Sequence, residues 1–295
     1  MDLTKKSLCV FIHFGEMEYI PKYVQIYINE LSVHFDEVIF ALNERRIYTN
    51  LQFLNNNITL KRYKNEGYDL GMFYKVFQTI DPANYHQIAC INDSNILLRK
   101  LSPVFEWSIT QDCDFWGIID SYEMPWFSTH KNTYHLQSHF IVFNERAIDN
   151  LAEFFKSIHI ELILKERNIK LLRRTVINKW EIGITQYLLK KGLTSSTYIS
   201  SKLFSSIYNN GKVRNVSQRL YPQLIKSGYP LLKKKIIFDR TWKDRLRMQP
   251  PWKYLLIKYG EKDWEINEMV DELSNMKKEK IKKHIFSYLR LVKKP

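Results

Sequence analysis

The tripeptide Asn92-Asp93-Ser94 closes an apolar run, Ile88-Ala89-Cys90-Ile91. Such a run reads as a buried strand, and a carboxylate at the carboxyl end of a parallel strand stands where open α/β sheets hold their ligands. A hard oxygen ligand there suits Mg or Mn, which would neutralise a departing diphosphate. The plainer reading is that Asp93 caps the next turn or helix. Glu181, in Trp180-Glu-Ile-Gly-Ile-Thr-Gln186, opens a helical stretch. The helix dipole favours a carboxylate there whatever its role, and the position also suits a general base that takes a proton from an attacking hydroxyl.

Two further clusters lie between them. In Asp114-Phe-Trp-Gly117 the glycine lets a flat ring or a neighbouring backbone approach, so Trp116 is either a platform or core. Asp120 ends the apolar stretch Trp116–Ile119 and is either a ligand-facing carboxylate or a turn former. His135 and His139 stand four apart in Tyr134-His-Leu-Gln-Ser-His-Phe140. On a helix that spacing suits zinc, and on a strand it also puts both on one side. No Glu lies between them in the metalloprotease pattern, so one exposed and one packed histidine is the plainer expectation.

The elements that must position these residues alternate. Strands are expected over Ser7–Phe14, Asp36–Leu42, Ile58–Tyr63, His86–Asn92, Phe115–Asp120 and Phe140–Phe143. Helices are expected from Pro21 to Leu31 or His34, then over Gly67–Ile80, Pro103–Thr110, Ala147–Lys156, Ile160–Lys165 and Trp180–Lys190. This order predicts βαβ units and a mainly parallel sheet. The polar stretch Ser195–Gly211 reads as loop, and Lys233-Lys234-Lys235 as the opening of a basic tail. The expected division is a catalytic domain over 1–235 and a helical appendage over 236–295.

Of 295 residues, 45% are hydrophobic and 14% aromatic, enough for a sizeable core and too apolar for a disordered chain. The net charge is +14, yet residues 226–295 hold 19 Lys and Arg against 9 Asp and Glu, so the surplus sits in the last quarter. Such a surplus attracts polyanions, either nucleic acid or anionic lipid. Cys9, Cys90 and Cys113 lie far apart without a CxxC pair, which argues against a structural zinc and suits a reducing cytoplasm. No apolar stretch nears the roughly 20 residues of a membrane-spanning helix, and the start lacks a signal-peptide pattern. GxGxxG, GxxxxGK[ST] and GxSxG are absent, which disfavours ATP phosphoryl transfer and serine hydrolysis.

In order, Asn65-Glu-Gly-Tyr-Asp-Leu-Gly71, Ile91-Asn-Asp-Ser94, Asp112-Cys-Asp-Phe-Trp-Gly117, Asp120-Ser-Tyr-Glu123, His135-Leu-Gln-Ser-His-Phe140, Trp180–Gln186 and Tyr229-Pro-Leu-Leu-Lys233 resemble the rhamnan synthesis protein F family of bacterial polysaccharide glycosyltransferases. The resemblance implies a GT-A-like nucleotide-sugar fold and transfer of rhamnose or another hexose from a nucleoside-diphosphate donor to a growing glycan. It implies that Asp69, Asp93 and Ser94 lie near the donor, and that Asp120, His135, Gln137 and Trp116 line the sugar or acceptor cleft. Glu181 is then the base of an inverting displacement. A full Asp-x-Asp is missing, because Asn92 precedes Asp93 and Ser94 follows it. The diphosphate is therefore expected to meet either a divalent cation (Mg or Mn) on Asp93 or Lys and Arg side chains.

The stretch Lys277–Arg290 places Ile281, Ile285, Tyr288 and Leu289 on one helical side among lysines. A basic amphipathic helix of this kind suits an anionic membrane surface, and equally it can pack its stripe on its own protein. The expected location is the cytoplasm, peripheral on the inner membrane, with a lipid-linked or glycan acceptor. A nucleic-acid-binding protein is disfavoured, since no recognised module interleaves the basic residues with aromatics. A non-catalytic glycan-binding protein on a transferase fold is the other alternative, and the presence of Asp93 and Glu181 weighs against it.

Overall fold

The computed structural model describes residues 5–15, 17–209, 215–239 and 250–292, with side chains to 282 (residue 209 apart). In chain order the elements begin β1 (Lys6–His13), α1 (Lys22–His34), β2 (Glu37–Asn43), β3 (Ile58–Tyr63), α2 (Tyr68–Phe77), β4 (Tyr85–Asn92), β5 (Asn95–Leu97) and α3 (Ser102–Ser108). Next come β6 (Phe115–Ser121), β7 (His135–Leu136), β8 (Phe140–Asn144), α4 (Glu145–Ser157), α5 (Ile160–Lys165) and α6 (Ile169–Val176). A wide π-helical turn (Ile177–Ile182) leads into α7 (Gly183–Lys190), then β9 (Ser195–Ile199) and α8 (Ser201–Asn209). The last labelled elements are α9 (Val216–Arg219), α10 (Tyr221–Lys226), β10 (Leu231–Lys233) and α11 (Lys234–Phe238). Helices Trp252–Tyr259 and Ile266–Val292 follow.

The central sheet runs β3-β2-β1-β4-β8-β6-β7, with β9 paired to β6. The pairs β1–β2, β1–β4, β2–β3 and β6–β9 are parallel, while β8 is antiparallel to both β4 and β6. The protein is thus α/β with a mainly parallel sheet, as the alternation of elements predicts. Interior strands read as unbroken apolar runs because helices cover both faces. Side chains of β1 alternate between two apolar layers: Cys9 and Phe11 face one, Leu8, Val10 and Ile12 the other. α2, α4 and α7 fill the second layer with Leu70, Phe73, Leu151, Phe154 and Leu188.

The first layer is closed by α1 together with the end of the chain. Trp252, Leu255, Leu256, Met269, Val270 and Leu273 belong to the same apolar cluster as Tyr23, Tyr27 and Leu31 of α1. The backbone N–H of Lys22 donates to Glu272 at 2.7 Å, and the Lys22 ammonium pairs with Glu265. Within the segment expected as an appendage, residues from Trp252 to Leu273 therefore pack as part of the core. Ile285, Tyr288 and Leu289, assigned to its amphipathic stripe, have side chains outside the described residues.

The polar stretch Ser195–Gly211, expected as loop, instead holds strand β9 and helix α8; residues 210 and 211 fall outside the described residues. β9 forms because β6 offers it an edge, pairing Phe115 with Ser195 through Ile119 with Ile199. Parallel strands β1 and β4 are neighbours, yet the chain between them winds out to β2 and β3 first. That reversal of winding opens a crevice at the carboxyl ends of β1 and β4.

Replacing the fully buried Leu273 by Ala is expected to cost about 2–5 kcal/mol of folding stability in urea denaturation of the whole chain. A loss under about 1 kcal/mol would show that the terminal helix is only loosely docked.

Candidate active site

A cleft of about 440 Å³ lies at this crevice, within the range of small-molecule sites. Its wall includes Asp69, Asn92, Asp93, Ser94, Glu123, His135, Gln137, His139, Arg173, Glu181, Asn215 and Lys233. Each arrives by a different element. Asp69 stands in the first turn of α2. The entry to that helix needs glycine twice: Gly67 takes φ +75, and a Cβ on Gly71 would fall 1.7 Å from the Glu66 carbonyl oxygen. Arg173 is in the last turn of α6, whose start is capped by Asn168 accepting from the N–H groups of Lys170 and Leu171. Glu181 sits in the π turn rather than at the start of a regular helix, and such wide turns recur at functional sites. Lys233 ends β10, held opposite Asn95 of β5.

Beneath the cleft is a knot of charge. Asp93 Oδ2 accepts from His13 Nδ1 at 2.6 Å, Lys234 Nζ at 2.9 Å and the Tyr23 hydroxyl at 3.1 Å. Lys234 also donates to the Tyr23 hydroxyl at 2.9 Å. Burial alone would raise the Asp93 carboxyl, but Lys234 and His13 outweigh it and hold the group well below the usual carboxylate range. The adjacent turn is fixed by Ser94 N–H on Asn92 Oδ1 (3.0 Å) and by Lys234 N–H on the Ser94 carbonyl (2.9 Å).

The upper wall carries the opposite electrostatics. Burial and the neighbouring Asp69 push the Glu181 carboxyl up to about 7, against the pull of Lys233 and Arg173. Burial brings the Lys233 ammonium down to about 8, against the pull of Glu181 and Glu123. Asp69 is raised by burial, although Asn92 Nδ2 donates to it at 3.0 Å. His135 donates Nδ1–H to the Thr133 carbonyl at 2.6 Å, because a carbonyl can only accept; Nε2 of the neutral ring is then the acceptor. Burial lowers the affinity of His135 and, more strongly, His139 for a second proton.

Asp69, Asp93, Ser94, His135, Gln137 and Glu181, expected from the sequence, all line this cleft. Gln137 does so with a committed amide, donating to the Asp120 carbonyl (3.3 Å) and accepting from Ser217 (3.1 Å). Two expected residues do not line it. Asp120 is 2% exposed, and its Oδ1 accepts the Ser201 N–H at 2.6 Å, tying down the start of α8. Trp116 is core, packed on Phe105, Trp107 and Phe140. His135 and His139 are both buried and both line the cleft, rather than one packed and one exposed.

Asp93 Oδ2 already serves three donors, one of them the Lys234 ammonium, which leaves a cation only Oδ1 of this carboxylate. Among the described residues no three His, Cys, Asp or Glu side chains gather around a common point. Lys233, assigned by the lysine run to a basic tail, is instead a wall residue, and Arg173 joins it there without any sequence signal of its own. The signal for Lys233 was its place after Tyr229-Pro-Leu-Leu; Arg173 stands in the run Lys170-Leu-Leu-Arg-Arg174, with nothing local to separate it from a solvated helix face.

The family profile described as rhamnan synthesis protein F matches residues 4–294. Virulence protein VirA of Vibrio anguillarum is 24% identical over 205 residues, 60% of this chain and 61% of that protein, so less than two thirds of the relative's length is spanned. Among solved structures, the glycosyltransferase GlyE of Streptococcus pneumoniae TIGR4 aligns with TM-score 0.42 and 11% identity, over 92% of this chain and 64% of that one. The 4-diphosphocytidyl-2C-methyl-D-erythritol synthase of Anaerococcus prevotii DSM 20548 aligns with TM-score 0.40 and 9% identity, over 75% and 99%.

The electrostatics are open to direct titration. Carboxyl-carbon NMR is expected to place Glu181 at about 7, with Asp69→Asn moving the midpoint down and Lys233→Met moving it up. A midpoint in the ordinary carboxylate range, unmoved by either change, would show that burial and Asp69 do not act on Glu181.

Proposed function

The chain belongs to the rhamnan synthesis protein F family, and from that premise we propose that it is a glycosyltransferase. It moves rhamnose or another hexose from a nucleoside-diphosphate donor to a growing cell-surface polysaccharide or lipid-linked glycan. The observation that carries the reading is Glu181, a carboxyl poised near neutrality in a polar cleft at the sheet's carboxyl edge, with Arg173 and Lys233 on the same wall.

In this reading Arg173 and Lys233 hold the donor diphosphate, the role that would otherwise fall to a cation on Asp93. Glu181 takes the proton of an acceptor hydroxyl as its oxygen forms a bond to the anomeric carbon. The bond from that carbon to the diphosphate oxygen breaks on the opposite face, and the electron pair leaves with the diphosphate, whose developing charge Arg173 and Lys233 stabilise. The sugar is inverted. His135 Nε2 and the Ser94–Asn92 turn offer acceptors and donors for sugar hydroxyls.

The site of action is the cytoplasmic face of the inner membrane. Among the described residues no helix is long and apolar enough to cross a membrane. The helix Ile266–Val292 leaves Lys278, Ile281 and Lys282 exposed, while Lys280 pairs with Asp239 at 2.6 Å. Each lysine near an anionic surface adds about 1 kcal/mol to attraction. Flotation with anionic vesicles is expected to be lost when the chain is truncated after residue 276, and undiminished flotation removes this helix from the role.

Glu181→Gln is expected to abolish transfer while donor binding persists. The pH profile of the native enzyme is expected to be a bell. Below about 7 Glu181 is protonated and cannot accept, and above about 8 Lys233 loses the charge that holds the diphosphate. Near-normal turnover in Glu181→Gln, or retention of anomeric configuration in the product, excludes the scheme.

A further inference from the structure

The loop joining β6 to β7, residues 122–134, is far longer than the usual connection of about 4–6 residues. It is held firmly at one place. Thr129 N–H donates to Asn178 Oδ1 at 3.0 Å, Asn178 Nδ2 donates to Thr129 Oγ1 at 2.9 Å, and His130 Nε2 bonds the Asn178 carbonyl at 2.9 Å. Asn178 belongs to the same π turn as Glu181. The loop and the candidate base therefore share one anchor.

On this anchored loop Trp126 is 80% exposed, an unusual fate for the largest apolar side chain. Its ring is steadied by the Arg174 guanidinium, 4.6 Å from the centroid, and by an edge contact with Phe127. Two chain neighbours fix its place. Glu123, three residues earlier, lines the cleft, so the connecting backbone spans at most ~10 Å. Arg173, next to Arg174, lines it too. Trp126 is not itself part of the cleft lining, but it lies within about 10 Å of backbone of a residue that is.

Resting on the transferase reading, we propose that Trp126, with Arg174 behind it, is an acceptor subsite that stacks a sugar ring of the growing glycan. A pyranose presents a face of C–H bonds that complements the electron-rich face of an indole. The flanking groups are of both signs and rich in hydrogen-bond capacity: Glu123 accepts from Asn215 at 2.7 Å, and Arg173 and Arg174 donate. The Glu123 carboxylate beside the arginines matches the hydroxyls of a neutral saccharide and would be repelled by an anionic lipid surface. The residue acts on acceptor affinity and not on the bond being made.

The test uses the full chain and an α-linked rhamnose tetrasaccharide. Saturation-transfer NMR is expected to show contact to the sugar C–H groups in the native protein and in Trp126→Phe, and to lose it in Trp126→Ala. The tetrasaccharide KM is expected to rise about tenfold in Trp126→Ala with kcat and donor KM held, a change of about 1.4 kcal/mol. An absence of tetrasaccharide contact in the native protein, or equal KM values for native and Trp126→Ala, overturns the subsite. Loss of vesicle binding or of self-association in Trp126→Ala, with glycan binding kept, overturns it in favour of a membrane or a second copy. If these fail while a nucleotide sugar is still consumed with Glu181 required, the subsite alone falls. If no nucleotide sugar is consumed, the transferase reading falls instead.

Discussion

Three donors converging on one oxygen of Asp93 hold this molecule's working edge in place. His13 brings the end of β1, Tyr23 the start of α1, and Lys234 the start of α11. A charge pair taken out of water stabilises only when its geometry is good and its remaining hydrogen bonds are met. Removing one partner leaves an uncompensated buried charge, which is why such a knot is intolerant of change. Here it has a positional consequence. Lys233 and Lys234 are adjacent, yet one lines the cleft and the other turns under it, so fixing Lys234 on Asp93 also fixes Lys233 on the wall.

The wall above the knot is built against stability. A carboxyl raised by burial and a neighbouring carboxylate binds a proton in the folded chain that the unfolded chain releases at lower pH, so folding weakens as pH rises through that interval. Lys233 has the converse problem, since burial disfavours the charge that the unfolded chain carries freely. Both costs are met by the two apolar layers of the sheet. Strained charges of this kind gather at functional sites because chemistry needs them and packing does not.

The interior of the sheet was legible because β1, β2, β4, β6 and β8 carry long apolar runs with helical periods between them. Ile58–Tyr63 and Ile160–Lys165 fall where pattern alone places them. β9 was not legible: Ser195-Ser-Thr-Tyr-Ile199 has the composition of a loop, and becomes a strand only because β6 presents a partner. α8 begins where Asp120, 81 residues away in sequence, supplies its cap, a contact no local window contains. The same contact commits the Asp120 carboxylate away from the cleft. Trp116 was ambiguous by composition, and packing against Phe105, Trp107 and Phe140 decides it. Of the site, the acidic residues were readable at strand and helix ends, while the basic ones were hidden inside runs of lysine and arginine that resemble solvated surface.

The late arrival of Lys233 has a consequence for biogenesis. β10 pairs with β5, more than a hundred residues earlier in the chain, and such distant pairings form slowly. The strands β1 to β9 precede it, so a nascent chain can assemble its central sheet while Lys233 and Lys234 are still being synthesised. Until then Asp93 has only His13 and Tyr23 as partners, and the crevice lacks the wall that Lys233 supplies. The cleft therefore gains its last wall, and the knot its last member, only once synthesis has passed residue 234.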